Sequence, residues 1–572
     1  MEEVDCTAMP TNRVPLPLPA MLERIHRAGE SVAPAESLRR ARVWRQLVEE
    51  YQPLAKSLEW QLAGLHWARE GALPFIDSNV PYIVNNNGRV SADAAALLFA
   101  SCLEPGAGGE RIAVLELGAG TGLFARYFLD EFRLLCERES RDFYERLAYY
   151  VTDGSPATIE QWREREIFRD HAGHVFPRVC DANAPAASGA GPLRAAICNY
   201  VLDVLPSAIL RKAEQGWEQL WVRTWITDDT SLIKQYTRLG FEEIRTLARG
   251  PQPEERARLV PLLPLLEFEK DFLPIGPDPP AGLETLEGEP AGAPFAYNYG
   301  ALGCLDAVFE LLEPDGFALV NDYGPVRRED VAERSVAQRF GPSTAMGLNF
   351  PLLEEQLGRR GVEVLKAEGD DGHLLHARLL VRSGAPGVRG AFETRFAAAA
   401  REQADAPIER ARREAESGHA REALESFRAA IARNPRDWQL IGEAAVFAAT
   451  QLRDRAAGLE LARAAVELNP WYSPWLWNVL GDCLLSMERP EEAHECYLQA
   501  QRIHPRDVKT NLNLAHSWQL LGDPGRSLEA VACGLANDSD AMFRHTLLEK
   551  QQQAIAALAV RWNKERATAA RR

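Results

Sequence analysis

The sequence predicts an α/β fold followed by an all-α region: a doubly wound, Rossmann-like sheet in the first two thirds of its 572 residues, then a solenoid of helical repeats. Three observations carry this. Between about residues 106 and 385, short β-rich runs (IAVLELGAG, LAYYVTD, AAICNYVL, QLWVRTW, GFALVNDYG, HLLHARLLVR) alternate with helical ones, the pattern of a mostly parallel sheet covered by helices. A Gly-rich loop joins the first run to a helical segment. From about residue 404 to 562 the chain is helical with a period of about thirty-five residues, marked by NPRD at Asn434, NPWY at Asn469 and HPRD at His504.

Taken in order, residues 1–105 read as a helical N-terminal segment. From about Leu22 to Gly71 apolar residues recur at helical spacing, with Trp44, Leu47, Tyr51 and Leu54 on one stripe. The turn-rich stretch LEPGAGGER leads into the first buried strand. Inside the α/β region, residues from about Thr227 to Ala296 are rich in Pro and Gly (GPQPEER, LPIGPDPPAGLETLEGEPAGAP) and read as an insertion that covers or borders a site. SGAPGVRG, near Ser383, reads as the linker to the repeats.

Composition bounds the function. The chain exceeds the roughly 250–300 residues at which single cores stop growing, so it divides into domains. With 46% apolar and 26% charged residues it is neither a disordered nor a membrane chain, and no run is long enough to span a bilayer. MEEVDCTAMP lacks the basic and apolar regions of a secretory signal, so the expected address is cytoplasmic. Nine scattered cysteines without CxxC spacing predict reduced core thiols and no metal site. A net charge of −17 argues against nucleic acid as partner, the basic tail RWNKERATAARR reading as a solvated helix end.

The chemistry concentrates at strand ends. In IAVLELGAGTGLFARYF a strand ends at Glu116, a loop carries Gly118, Gly120, Thr121 and Gly122, and a helix begins near Leu123. Glycines allow a sharp turn and close approach to a ligand. The acid directly before the loop selects S-adenosyl-L-methionine over a dinucleotide, since a carboxylate suits a sulfonium and an amino group and repels a pyrophosphate. LAYYVTD ends in Asp153, where an acid can accept hydrogen bonds from ribose hydroxyls; the alternative is a helix cap. Asp181, after HVFPRVC, stands where a side chain could meet the adenine amino group, or else in a surface turn. AAICNYVLDVLP brings Asn199 and Asp203 to the carboxyl edge of the sheet, where ligands bind in open α/β folds; both are candidate catalytic residues facing a methyl acceptor.

These pieces resemble the MidA-type methyltransferases, whose mitochondrial members assist respiratory complex I assembly and methylate an arginine of a protein partner. ELGAGTG (Glu116 to Gly122) is similar to the family's E-x-G-x-G-x-G, and DGSP (Asp153 to Pro156) with Gln161 to its E-x-S-P and later Gln. NYVLDVLP (Asn199 to Pro206) is similar to N-E-x-x-D-x-L-P, GWEQLWV (Gly216 to Val222) to G-W-x-E-x-x-V, and NDYG (Asn321 to Gly324) to D-Y-G. The resemblance covers roughly Val90 to Arg382 and implies methyl transfer from S-adenosyl-L-methionine, with arginine as one candidate acceptor. It departs at Tyr200, where the family has Glu and where no ion pair to a guanidinium can form, and at GLNFPLLEEQL, which replaces T-A-x-V-D-F.

The repeats match the tetratricopeptide pattern. The clearest unit places Trp477, Leu480, Gly481, Ala493, Tyr497, Ala500 and Pro505 where small residues let two helices cross and Pro ends the second. REALESFRAAIARNP (Ala423, Phe427, Ala430, Pro435) and a degenerate unit ending at Pro470 precede it. NLNLAHSWQLLGDPGRSLEAVACGL and the cap LLEKQQQAIAALAVRW follow. Such arrays bind proteins or peptides on a concave surface; stabilising or dimerising the enzyme is the alternative. Three functions stand open: a methyltransferase acting on a protein or peptide recruited by the repeats, one acting on a small molecule, and a non-catalytic, cofactor-binding assembly factor or adaptor.

Overall fold

The computed structural model describes residues 45–76, 87–104, 111–288, 291–372, 375–382 and 384–569. Trp44 and the part of the expected N-terminal helix before residue 45 lie outside them. The chain forms two compact units, one of residues Ala33–Ala404 and one that contains Asp405–Arg572.

The strands of the first unit are β1 (Arg45–Pro53), β2 (Ile112–Leu117), β3 (Leu147–Asp153), β4 (Arg178–Val179), β5 (Leu193–Asn199), β6 (Ala208–Ala213), β7 (Gly216–Thr227), β8 (Leu266–Pro274), β9 (Phe295–Tyr297), β10 (Leu312–Tyr323), β11 (Ala337–Phe340), β12 (Ser343–Met346), β13 (Glu363–Lys366) and β14 (Leu375–Val381). Seven form one sheet in the order β13-β14-β10-β5-β2-β3-β4. β10, β5, β2, β3 and β4 run parallel, whereas β14 is antiparallel to both neighbours. Every residue of β2 and β5 is buried, as expected of strands covered on both faces. Helix Leu123–Arg138 lays Phe124, Phe128, Phe132 and Cys136 in one i, i+4 row against the core. From β2 the chain winds outward to β3 and β4, then returns to β5 and winds the other way. The order therefore reverses between β2 and β5, and a ligand crevice opens at the carboxyl ends of strands at such a switch point.

Three expectations change. Arg45–Pro53 is a strand, not helix, because it pairs with β7, far away in sequence; the helix begins only at Leu58 and runs to Glu70. QLWVRTW lies not in the main sheet but in β7 of a second, antiparallel sheet of order β1-β7-β6-β9, with β8 also on β7. The Pro-rich insertion is therefore partly sheet: it starts at the end of β7, returns as β8 to pair with β7, and ends in β9, which pairs with β6. SGAPGVRG also differs from its reading: helix Pro386–Phe396 begins inside it and buries Val388, Phe392 and Phe396 within the α/β unit.

In the second unit, helices begin at residues 420, 455, 490 and 524, and their partners at 438, 474 and 508, so the period of about thirty-five residues is the spacing of helix pairs. The physical content of the NPRD and HPRD motifs is a stop and a restart: the helix before each Pro ends, and Asp437 and Asp507 cap the next by accepting from Leu440 N at 3.0 Å and Thr510 N at 2.7 Å. Ser473 does the same for Leu476. Gly481 is required by close crossing, since a Cβ there would lie 2.4 Å from the ring of Tyr497. Among the described residues no helix is long and apolar enough to cross a membrane; seven cysteines are free and buried, whereas Cys533 is disulfide-bonded, contrary to the expectation of reduced thiols throughout.

Candidate active site

The Gly-rich loop leaves β2 with three left-handed glycines, at φ +64° (Gly118), +55° (Gly120) and +76° (Gly122), a conformation that a side chain would strain. The space a Cβ would take is filled by the protein itself. It would lie 2.6 Å from Val201 at Gly118, 2.7 Å from the Phe75 ring at Gly120 and 2.9 Å from Phe168 at Gly122. Thr121 is buried, and its Oγ1 accepts from Leu123 N at 3.3 Å at the start of the helix.

Asp153 ties this loop to the next strand. Its Oδ2 accepts from Gly120 N at 3.0 Å and its Oδ1 from Ser155 N at 2.9 Å. Helix Pro156–Glu164 is capped by Ser155, not by Asp153. Ionised carboxylates offer about four lone-pair sites, so both oxygens keep capacity for further donors. Burial raises the Asp153 pKa. Glu116 is fully buried and accepts from Tyr149 Oη at 2.8 Å; burial pushes its pKa up to about 8. Asp181 is exposed, and its Oδ1 takes the backbone and side-chain N–H groups of Asn183, each at 2.9 Å, in a turn of its own. The backbone beside it nevertheless reaches the site, because Cys180 N donates to Asp153 O at 2.9 Å. From the N-terminal side, Gln161 donates to Glu70 O and accepts from Ala72 N, while Ser155 Oγ donates to Ala68 O, which fixes helix Leu58–Glu70 and the Phe75 turn over the loop.

Asn199 and Asp203 lie across the switch point from the Gly-rich loop, and the contact of Val201 with Gly118 brings the two loops together. Asn199 stands opposite Asn321 of β10 and accepts from its Nδ2 at 2.7 Å. Tyr200 N donates to Asn321 O at 3.0 Å, and Tyr200 sits at φ +49°, unusual for a bulky residue. The chain then makes a short turn, Leu202–Val204, in which Asp203 is buried. Asp203 faces the Tyr323 hydroxyl, and burial pushes its pKa up to about 7. Beside it, Asp322 is buried and raised well above the carboxylate range, first by burial and then by the Asp203 charge. Tyr200 and Tyr323 face each other at 6.3 Å between ring centroids. The buried polar atoms at this edge without a protein hydrogen-bond partner include Asn199 Nδ2, Asp203 Oδ1 and Asp322 Oδ2. Such atoms are costly to leave dry, and their convergence marks a place for a ligand or for water.

Sequence reasoning selected Asn199 and Asp203 for this edge and quoted NDYG only as a resemblance, giving Asn321, Asp322 and Tyr323 no role. The signal was present: five apolar residues (GFALV) end in NDY, the same change from buried strand to polar edge that singled out NYVLD. The motif departing from the family pattern lies here too. Leu348 N donates to Tyr323 O at 2.9 Å, and Gly324, at φ +151°, must be glycine because a Cβ would meet the Leu348 backbone. GLNF therefore backs the DYG turn.

Residues 96–342 match the profile of the family described as "Putative S-adenosyl-L-methionine-dependent methyltransferase". The match spans the main sheet's cofactor edge and the insertion, and it supports S-adenosyl-L-methionine as the cofactor. Among solved structures, the chain is similar to a Burkholderia thailandensis protein crystallised with S-adenosyl-homocysteine (15% identity, TM-score 0.40, covering 66% of this chain and 98% of that one). It is also similar to MamA of Desulfovibrio magneticus RS-1 (15% identity, TM-score 0.23, 29% and 97%) and to a TPR protein of Thermus thermophilus (20% identity, TM-score 0.23, 30% and 90%). No curated protein matches the chain.

Proposed function

We propose that the protein is an S-adenosyl-L-methionine-dependent methyltransferase whose acceptor is a protein or peptide recruited by tetratricopeptide-type repeats. The observation that carries this reading is the contact of the Gly118 loop with the Val201 loop, which sets a cofactor-type loop beside unpartnered polar groups at one sheet edge. Gly118, Gly120, Thr121 and Gly122 would shape the cofactor site, Glu116, kept largely protonated by burial, would ionise against the cofactor's cationic groups, Asp153 would hold the ribose and Asp181 the adenine. The bound cofactor supplies an electrophilic methyl group on a sulfonium. Asn199 and Asp203 orient the attacking atom, and Asp203 takes its proton where it carries one. In-line displacement depends chiefly on such positioning, with general-base assistance worth about a hundredfold to ten-thousandfold. Tyr200 disfavours a guanidinium ion pair at the position where the family has Glu, so arginine is one candidate acceptor among several.

The test is a calorimetric titration of the full chain with S-adenosyl-L-methionine and S-adenosyl-homocysteine, followed by transfer of labelled methyl to proteins co-purifying with the repeats. Binding with label in a polypeptide supports the proposal. Label only in small molecules moves the acceptor to that class, and binding without transfer in any fraction favours an adaptor.

A further inference from the structure

The carboxyl groups at the acceptor edge are two, not one. Asp203 comes from the turn after β5 and Asp322 from the end of β10, and each is buried with one oxygen lacking a protein partner. Their other contacts differ. Asp322 Oδ1 accepts from its neighbour Tyr323 N at 2.9 Å, and the group faces the backbone N–H groups of Leu202 and Asp203. Asp203 faces the Tyr323 hydroxyl. Among the described residues no Lys, Arg or His forms a hydrogen bond or ion pair with either carboxyl. The nearest such group in register, His376 of β14, stands opposite Asp322 but gives its Nδ1 to Asp370, which also holds Arg378. Tyr200, Tyr323 and the Cys198 thiol complete the titratable surroundings. Two like charges in such a setting cannot both persist.

We propose that Asp203 and Asp322 act as a carboxyl pair in which Asp322 retains a proton while Asp203 ionises and receives the proton released by the methyl acceptor. This rests on the methyltransferase reading and adds Asp322 as a positioning residue acting through Asp203. In the reaction the acceptor's lone pair forms the new bond to the methyl carbon, and the carbon–sulfur bond breaks with its electron pair left on sulfur. The acceptor's proton passes to the Asp203 carboxylate, so charge and protons balance without any further reactant. The neutral neighbour lets Asp203 carry its one charge without a second anion beside it.

The experiment compares the full-length wild type with Asp322→Asn and Asp203→Asn. It counts protons released on unfolding at about pH 6 and about pH 8, from the pH slope of stability. At about pH 8 the wild type should release about one proton more than Asp322→Asn, because the folded chain still holds it and the unfolded chain does not. At about pH 6 Asp203→Asn should remove a further part of the release. Asp203→Asn should also bring the Asp322 ionisation to lower pH by a unit or more, since its charged neighbour is gone; this arm stands if Asp322→Asn fails to fold. Equal release by wild type and Asp322→Asn at pH 8, or no movement of the Asp322 ionisation in Asp203→Asn, overturns the pair. S-adenosyl-homocysteine binding is measured on the same samples. Loss of the proton signature with binding intact defeats the pair alone, whereas an intact signature without binding defeats the methyltransferase reading.

Discussion

Replacing Asp153 by Ala tests the cofactor side of the site with two separable consequences. The side chain accepts from Gly120 N at 3.0 Å and from Ser155 N at 2.9 Å, so removing it strands two donors, one of them in the Gly-rich loop. An unsatisfied buried donor costs about 1–3 kcal/mol, so a loss of roughly 2–6 kcal/mol of stability is expected. If Asp153 also receives the ribose hydroxyls, each lost bond to a charged acceptor is worth about 1.5–3 kcal/mol at most, and affinity falls on the order of tenfold to a few hundredfold. Loosening the loop would weaken binding as well, so a double-mutant cycle is needed. Wild type and Asp153→Ala are titrated calorimetrically with S-adenosyl-homocysteine and with its 2′-deoxy analogue, after circular dichroism shows that both are folded. The wild type should discriminate against the deoxy analogue and the variant should not. Equal discrimination by both proteins, or an affinity loss below about twofold, would refute the ribose role and leave Asp153 as the brace between loop and strand.

Gly120→Ala should abolish S-adenosyl-homocysteine binding and lower the melting temperature, because the new methyl would press on the Phe75 ring at a left-handed φ; overpacking of this kind costs about 1–3 kcal/mol, and a fully stable variant with normal affinity would contradict it. Glu49, buried beneath helix Leu58–Glu70, accepts from Leu58 N at 2.9 Å, and burial pushes its pKa from 4.5 up to about 7. The folded state then holds a proton that the unfolded state has lost, so stability falls as pH rises from about 4.5 to 7. Glu49→Gln should therefore stabilise the protein by on the order of 1–3 kcal/mol at pH 8 and little at pH 4, and denaturation at the two pH values showing no difference would reverse this sign. A chain truncated after Ala404 should retain S-adenosyl-homocysteine binding, whereas one truncated after Arg382 should unfold at lower denaturant because it loses the buried Val388, Phe392 and Phe396; equal midpoints would show that helix Pro386–Phe396 is dispensable.

β2, β3, β5 and the second half of β10 were legible because they are buried and read as largely apolar runs that close on polar residues, whereas the two exposed residues of β4 gave no such signal. What was not legible depends on partners distant in sequence. RQLVEEYQP spaces its apolar residues at helical intervals, yet it is a strand because β7 offers it an edge, and neither segment contains that information alone. QLWVRTW has the composition of any strand; its assignment to a second sheet follows from pairing with β1, β6 and β8. SGAPGVRG has the residues of a linker, but its proline occupies the first turn of a helix, where a missing N–H costs nothing.

At the site, the glycine pattern was read as room for a ligand, and the structure assigns that room differently. Val201, Phe75 and Phe168 fill the three Cβ positions, so each glycine is already required by the protein's own packing and backbone angles. A Gly-rich turn of this kind is therefore no evidence of a ligand by itself. What singles out this one is its neighbour: the residue that fills the space at Gly118 belongs to NYVLD, whose Asn199 and Asp203 keep polar atoms without partners. The glycine thus serves to bring two strand ends within van der Waals contact, and the chemistry resides in the polar groups that the contact assembles. Asp322 entered the sequence reading only within NDYG, where a buried acid at a strand end is as readily a cap as a site residue. Only the unpartnered oxygen beside Asp203 separates the two roles, and that is a property of the folded edge.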